Sequence, residues 1–294
     1  MSSRKVASER LAVQNSMKTL LANIRFASID KPVCSLVVTS SIPNEGKTTI
    51  AIDLARSIAS GGNRVLLVET DMRNRSIANQ LGLRARHGLY AVLSQQVEIE
   101  DAVVSAKQPG MYFLDAEPHI PNPADILASK RFIQFIADLE RRFDYVVFDT
   151  PPVGTFVDAA VIGAHADGVV FVIRENFTKR AEMEAAYAQL TKADVHVLGA
   201  VMNCCDMDAS DYYYAYYNQE GKRVDRDAEP ALPVSAQRPA NGASSGSVLP
   251  SGASPSSTSQ FVALANGEGA VAGAGAQTQG VEPVQQPYAR RAGK

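Results

Sequence analysis

The sequence predicts an α/β fold: a mostly parallel sheet with helices on both faces, followed by a disordered tail. Three observations predict it. Short apolar runs alternate with stretches of helical spacing along the first two thirds of the chain. Those runs are apolar at consecutive positions, as strands covered on both faces require. From Gly221 onward roughly half of the residues are Ala, Gly, Ser or Pro, too few apolar anchors to offset the entropy of ordering.

The elements follow in order. Residues 1–27 read as a helical leader, with Val13, Met17, Leu20, Leu21 and Ile24 forming one apolar stripe. Residues 28–206 read as one globular domain. Its strands are Cys34–Ser41, Arg64–Thr70, Met111–Ala116, Asp144–Thr150, Gly168–Arg174 and Val195–Asn203. Helical spacing covers Lys47–Ser60, Ile126–Arg142, Ala159–His165 and Thr178–Lys192. Residues 207–220 hold a tyrosine cluster, and residues 221–294 are the expected disordered tail.

Composition excludes several classes. A formal net charge of -2 gives no basic footprint for nucleic acid. Cys34, Cys204 and Cys205 are too few for a disulfide framework and badly spaced for a zinc site. No apolar run reaches the roughly 18 residues of a membrane span, and the N-terminus lacks the apolar core of a signal peptide. A cytoplasmic protein is expected.

In sheets of this kind ligands bind at the carboxyl ends of the strands, and three motifs stand there. Ser41–Thr49, "SIPNEGKTT", fits the phosphate loop G-x-x-x-x-G-K-[ST] at Gly46, Lys47 and Thr48, with Ser41 in place of the leading glycine. Backbone N–H groups of Asn44, Glu45, Gly46 and the helix start, Thr49 included, form a concave anion site. Lys47 reaches the β- and γ-phosphates, and the Thr48 hydroxyl can ligand Mg²⁺. "VLLVETDMR" brings Glu69, Asp71 and Arg73 out of a buried strand, on one face for as long as the chain stays extended. "YVVFDTPP" ends an apolar strand in Asp149, the Walker B arrangement for holding Mg²⁺ directly or through water. The fold expected is therefore that of the P-loop NTPases.

Together these segments resemble the bacterial tyrosine kinases (BY-kinases) of capsular and exopolysaccharide synthesis, relatives of the MinD/ParA ATPases. "TSSIPNEGKTT" stands as Walker A, "LLVETDMR" as the extra acidic A′ motif and "VVFDTPPV" as Walker B. "GLYAVL", "PNPADILAS" and "GAVMN" are further landmarks, the last ending at Asn203, whose counterpart contacts adenine. Two departures stand out. Glu69 replaces the family's usual Asp, and the N-terminal ring-assembly motif falls on Asn15, Lys18 and Leu21, none of which keeps the family residue. One position separates the relatives: where MinD/ParA-type ATPases carry a signature lysine this chain has Ile42, which argues against their nucleotide-sandwich dimer and favours the kinase branch.

The resemblance gives a role to "DYYYAYYNQE". Tyr212, Tyr213, Tyr214, Tyr216 and Tyr217 are half of the chain's 10 tyrosines. Consecutive phenols offer neither a strand face nor a helix face to a core, so they are expected to be phosphoacceptors. The expected mechanism uses ATP and Mg²⁺. Lys47 and the loop amides bind phosphates, Arg73 and Asn203 complete the nucleotide site, Thr48, Asp71 and Asp149 arrange the metal, and Glu69 orients or deprotonates a tyrosine. Transfer is expected between subunits of a homo-oligomer. The resemblance also implies a separate transmembrane co-polymerase that recruits and activates the chain at the inner membrane face, and a tyrosine phosphatase that reverses the reaction. The alternative is a MinD/ParA-like ATPase switch without tyrosine kinase activity.

Overall fold

The computed structural model describes residues 3–27, 31–205 and 260–262, with side chains from 10–27 and 31–205. The tyrosine cluster, and all of the expected tail except 260–262, lie outside the described residues. In chain order the helices are α1 (Ser3–Ala27), α2 (Lys47–Ser60), α3 (Ile77–Leu81), α4 (Leu89–Leu93), α5 (Ile99–Ala102), α6 (Pro123–Leu127), α7 (Lys130–Arg142), α8 (Asp158–Gly163) and α9 (Arg180–Lys192). The strands are β1 (Ser35–Ser40), β2 (Val65–Glu69), β3 (Val104–Ser105), β4 (Met111–Leu114), β5 (Tyr145–Asp149), β6 (Gly168–Arg174), β7 (Val197–Asn203) and β8 (Gln260–Val262).

The strands form one sheet in the order β3-β4-β2-β5-β1-β6-β7-β8. The six inner strands, β4 to β7, pair in parallel, while β3 and β8 close the edges antiparallel. The consecutive apolar residues of each central strand serve two cores. Leu66 and Val68 of β2 join Phe148 and helices α4, α7, α8 and α9 on one face. Val65 and Leu67 join Val147 and helices α1 and α2 on the other. Alternate side chains point to opposite faces, so an unbroken apolar run is what a sheet with two covered faces demands.

The N-terminal stripe is part of this architecture. Met17, Leu20, Leu21 and Ile24 are buried against α2. Arg25 ties the helix down by donating from Nε to the Tyr145 hydroxyl at 3.0 Å. The stretch expected as one helix over Ile126–Arg142 is two, α6 and α7. The break is at Ser129, whose hydroxyl accepts from Phe132 N at 3.2 Å and caps α7. Sequence periodicity did not anticipate α3, α4, α5 or β3, which are five residues or fewer and too short to show a period.

Candidate active site

The site is built where β1, β2 and β5 end. Parallel pairing puts Glu69 of β2 directly beside Asp149 of β5, and Asp149 in turn beside Val38 of β1. Threonine hydroxyls fasten the three ends together. Thr70 donates to Asp149 O at 2.5 Å, and Thr150 donates to Val38 O at 2.9 Å. Beyond Pro152 the chain passes so close to the phosphate loop that a Cβ on Gly154 would lie 2.3 Å from Ser41 O. Only glycine fits there.

The phosphate loop runs from Ser41 into α2 with Asn44 and Gly46 both in the left-handed region, at φ 68° and 90°. Asn tolerates that conformation better than most residues, which explains why the loop works with one glycine near its end. A Cβ on Gly46 would also meet Asn203 Nδ2 at 2.1 Å. Lys47, at the start of α2, points its Nζ to Asp71 Oδ2 at 3.4 Å. Thr48 is half-buried and Thr49 exposed.

The A′ residues separate. The strand ends at Glu69 and the chain turns, with Asn74 N donating to Asp71 O at 3.1 Å and to Asp71 Oδ1 at 3.0 Å. The expected common face of Glu69, Asp71 and Arg73 therefore does not form. Glu69 is fully buried; its Oε2 accepts from Ser76 N at 3.0 Å and Ile77 N at 3.2 Å, at the start of α3. Asp71 faces Lys47. Arg73 donates to buried Asp158 Oδ1 at 2.7 Å and lies over the Phe156 ring at 4.1 Å. Asn203, at the end of β7, donates from Nδ2 to Glu45 O at 2.8 Å and accepts from Cys204 N at 2.9 Å. The geometry thus brings Lys47, Glu69, Asp71 and Asp149 together, while Arg73 and Asn203 brace loops around them.

Electrostatics single out the carboxylates. Burial, then the neighbouring Asp149 charge, pushes the Glu69 carboxyl up to about 8; the Ser76 and Ile77 amides pull it back and Asp71 adds to the rise. Burial likewise pushes Asp149 up to about 6, against the pull of Lys47 and the Thr48 hydroxyl. No hydrogen bond of good geometry reaches either Asp149 oxygen, nor the buried Ser41 hydroxyl. Unpartnered buried polar atoms are costly, so these mark a place shaped for a ligand.

The residues present fit a magnesium ion. Glu69, Asp71 and Asp149, when ionised, carry three negative charges against the one positive charge of Lys47. Among the described residues no three His, Cys, Asp or Glu converge as a metal cage. Mg²⁺ typically takes one or two carboxylates together with phosphate oxygens and water, and buried Asp149, with no hydrogen bond of good geometry to either oxygen, offers one.

Sequence reasoning missed four contributors. Asp158 holds Arg73, Gly154 admits the phosphate loop, and Arg174 at the end of β6 and Thr178 in the turn after it meet Glu45. Asp158 opens a helix shortly after Walker B, a faint signal. Thr178 lies 133 residues from its partner and carries none.

The comparisons with known proteins agree with this geometry. A model of the AAA domain family matches residues 44–192. The tyrosine-protein kinase YwqD of Bacillus subtilis is 36% identical over 186 residues, 63% of this chain and 78% of that protein. The solved BceF tyrosine kinase domain superposes with a TM-score of 0.59 at 32% identity, covering 64% of this chain and 76% of that one. The septum site-determining protein MinD of Pyrococcus horikoshii, solved with Mg-ADP, shares the fold at 19% identity and a TM-score of 0.52, over 62% of this chain and 76% of that one. Phosphate loop, paired acidic strand ends and relatives at this level lead to one assignment: the chain belongs to the bacterial tyrosine-protein kinases.

Proposed function

We propose that the chain transfers the γ-phosphoryl group of ATP to tyrosines of its own cluster, Tyr212, Tyr213, Tyr214, Tyr216 and Tyr217, on a neighbouring copy, and that it does so in control of capsular or exopolysaccharide synthesis. One observation carries the reading most: Lys47 at the phosphate loop pairs with Asp71, Glu69 and Asp149 stand side by side at the neighbouring strand ends, and no hydrogen bond of good geometry reaches either Asp149 oxygen.

Lys47 and the amides of Ser41–Thr49 hold the phosphates. Thr48, Asp71 and Asp149 would hold Mg²⁺, which neutralises charge on the phosphates when bound. The phenol oxygen attacks the γ-phosphorus, the bond to the bridging β–γ oxygen breaks, and ADP departs. Glu69 takes the phenol proton. Its burial keeps its proton affinity near the working pH, as a general base requires. Because transfer of this group depends mainly on positioning and charge neutralisation, a carboxylate base suffices.

Among the described residues no helix is long and apolar enough to cross a membrane. The reading includes a separate transmembrane co-polymerase that brings the chain to the inner membrane face and activates it, and a phosphatase that removes the phosphates. Each phosphate adds about -1.5 to -2 charge, so several on adjacent residues would repel and disperse an assembly.

Incubation with Mg-ATP and the activator, followed by phosphotyrosine detection, tests the reading. The parent chain should label, Lys47→Met should not, and a variant with all five cluster tyrosines changed to Phe should lose most label. Undiminished labelling of the Phe variant would remove the acceptor assignment. Hydrolysis without any phosphotyrosine would favour an ATPase switch instead.

A further inference from the structure

Glu45 lies inside the phosphate loop, and its side chain is held by groups of the protein itself. It has no exposed surface. Its Oε2 accepts from Ile42 N at 2.7 Å, so the carboxylate itself occupies one of the loop amides. Its Oε1 accepts from the Thr178 hydroxyl and, at 3.4 Å, from Arg174 N. Arg174 is the last residue of β6, and Thr178 lies in the turn between β6 and α9. Arg174 makes a second contact, donating through its guanidinium to Asn44 O at 3.2 Å. On the other side Asn203 Nδ2 holds the Glu45 carbonyl. A carboxylate removed from water is costly unless hydrogen bonds satisfy it, and here each oxygen has a donor.

We propose that Glu45 is a positioning residue: its buried carboxylate latches the phosphate loop to the β6–α9 turn through Thr178, holding the loop amides in the arrangement that grips phosphate. This rests on the nucleotide-binding part of the function above. Any ligand that the loop grips less well when loosened must bind more weakly once the latch is cut, because a preformed loop avoids an ordering cost on binding. The latch carboxylate bonds Ile42, Arg174 and Thr178 and not Lys47, Glu69, Asp71 or Asp149, so it governs nucleotide affinity and leaves the chemical step alone.

Thr178 allows a test that leaves the phosphate loop's own sequence intact. Binding of Mg-ADP is measured by titration calorimetry for the parent, Thr178→Val, Thr178→Ser, Glu45→Gln and the Glu45→Gln/Thr178→Val pair. Thr178→Val should weaken Mg-ADP binding about three- to tenfold, and Thr178→Ser, which keeps the hydroxyl, should restore it. Thr178 Oγ1 also accepts from Arg174 N at 3.3 Å, but the latch routes its effect on binding through the carboxylate, so the double variant should bind no more weakly than Glu45→Gln alone. With ATP the KM should rise by the same factor as the Kd while kcat stays within about twofold of the parent. A lowered melting temperature with parental Mg-ADP affinity in Thr178→Val would overturn the latch and leave a packing role. Independent, multiplying effects of the two substitutions would overturn it as well. If Glu45→Gln does not fold, the Val and Ser variants decide alone. Tight Mg-ADP binding by a parent that labels no tyrosine would end the kinase reading and leave this one standing.

Discussion

Asp149 is the residue on which the site's energetics turn. No hydrogen bond of good geometry reaches its oxygens, and burial raises it to about 6. A carboxyl raised above its unfolded value stabilises the fold in its neutral form. That contribution is fully present below roughly pH 4, the unfolded value, and is lost as pH rises through about 6. Asp149→Asn should therefore melt above the parent in the absence of nucleotide, by a margin that opens between pH 4 and 7. Mg-ADP should close the margin by stabilising only the parent. Thermal scans across that range check this, and a constant margin would contradict it. Glu69 makes a different prediction. Glu69→Gln should lower kcat by about 10²- to 10⁴-fold with nucleotide affinity kept, if the carboxyl takes the phenol proton. Retention of the parental rate would assign it only to the start of α3. The identities of Lys47, Thr48 and Asp149 were legible because spacing from a buried strand fixes them. The destinations of Glu69 and Arg73 were not, because alternation holds only while a strand continues and this one stops at Glu69.

At the scale of elements, the long strands and α2, α7 and α9 announce themselves by apolar runs and helical spacing. The short helices do not, since what holds them comes from far along the chain. Glu117 caps α4 by accepting from Gly88 N, Tyr90 N and Ala91 N, at 2.7 to 3.0 Å, from 26 to 29 residues away. The segment after Walker B shows how closely elements meet at the site. Gly154→Ala would force a methyl group toward Ser41 O, where only 2.3 Å is free, so the segment and the phosphate loop must part. Denaturant titration should show a loss of about 1–3 kcal/mol, and Mg-ADP affinity should fall with it. A stable variant with weakened binding would mean that the segment yields first; parental values for both would contradict the tight passage.

Taken whole, the described domain is a mostly parallel sheet whose two faces are sealed by different helices, with α1 supplying part of one seal. Its apolar stripe was visible in the sequence, but its burial against α2 was a tertiary fact. Leu20→Ala should cost about 2–4 kcal/mol in denaturant unfolding, against near zero for a helix that merely precedes the domain. The tyrosines proposed as acceptors fall outside the described residues, so the link from site to substrate most needs measurement. A mixed reaction measures it directly. Lys47→Met, with its tyrosines intact, is combined with the active chain carrying Phe at all five cluster positions, together with Mg-ATP and the activator, and sites are mapped by mass spectrometry. Phosphate on Tyr212–Tyr217 of the Lys47→Met chain is the predicted result; an unmodified cluster on that chain, with the partner hydrolysing ATP normally, would contradict the account.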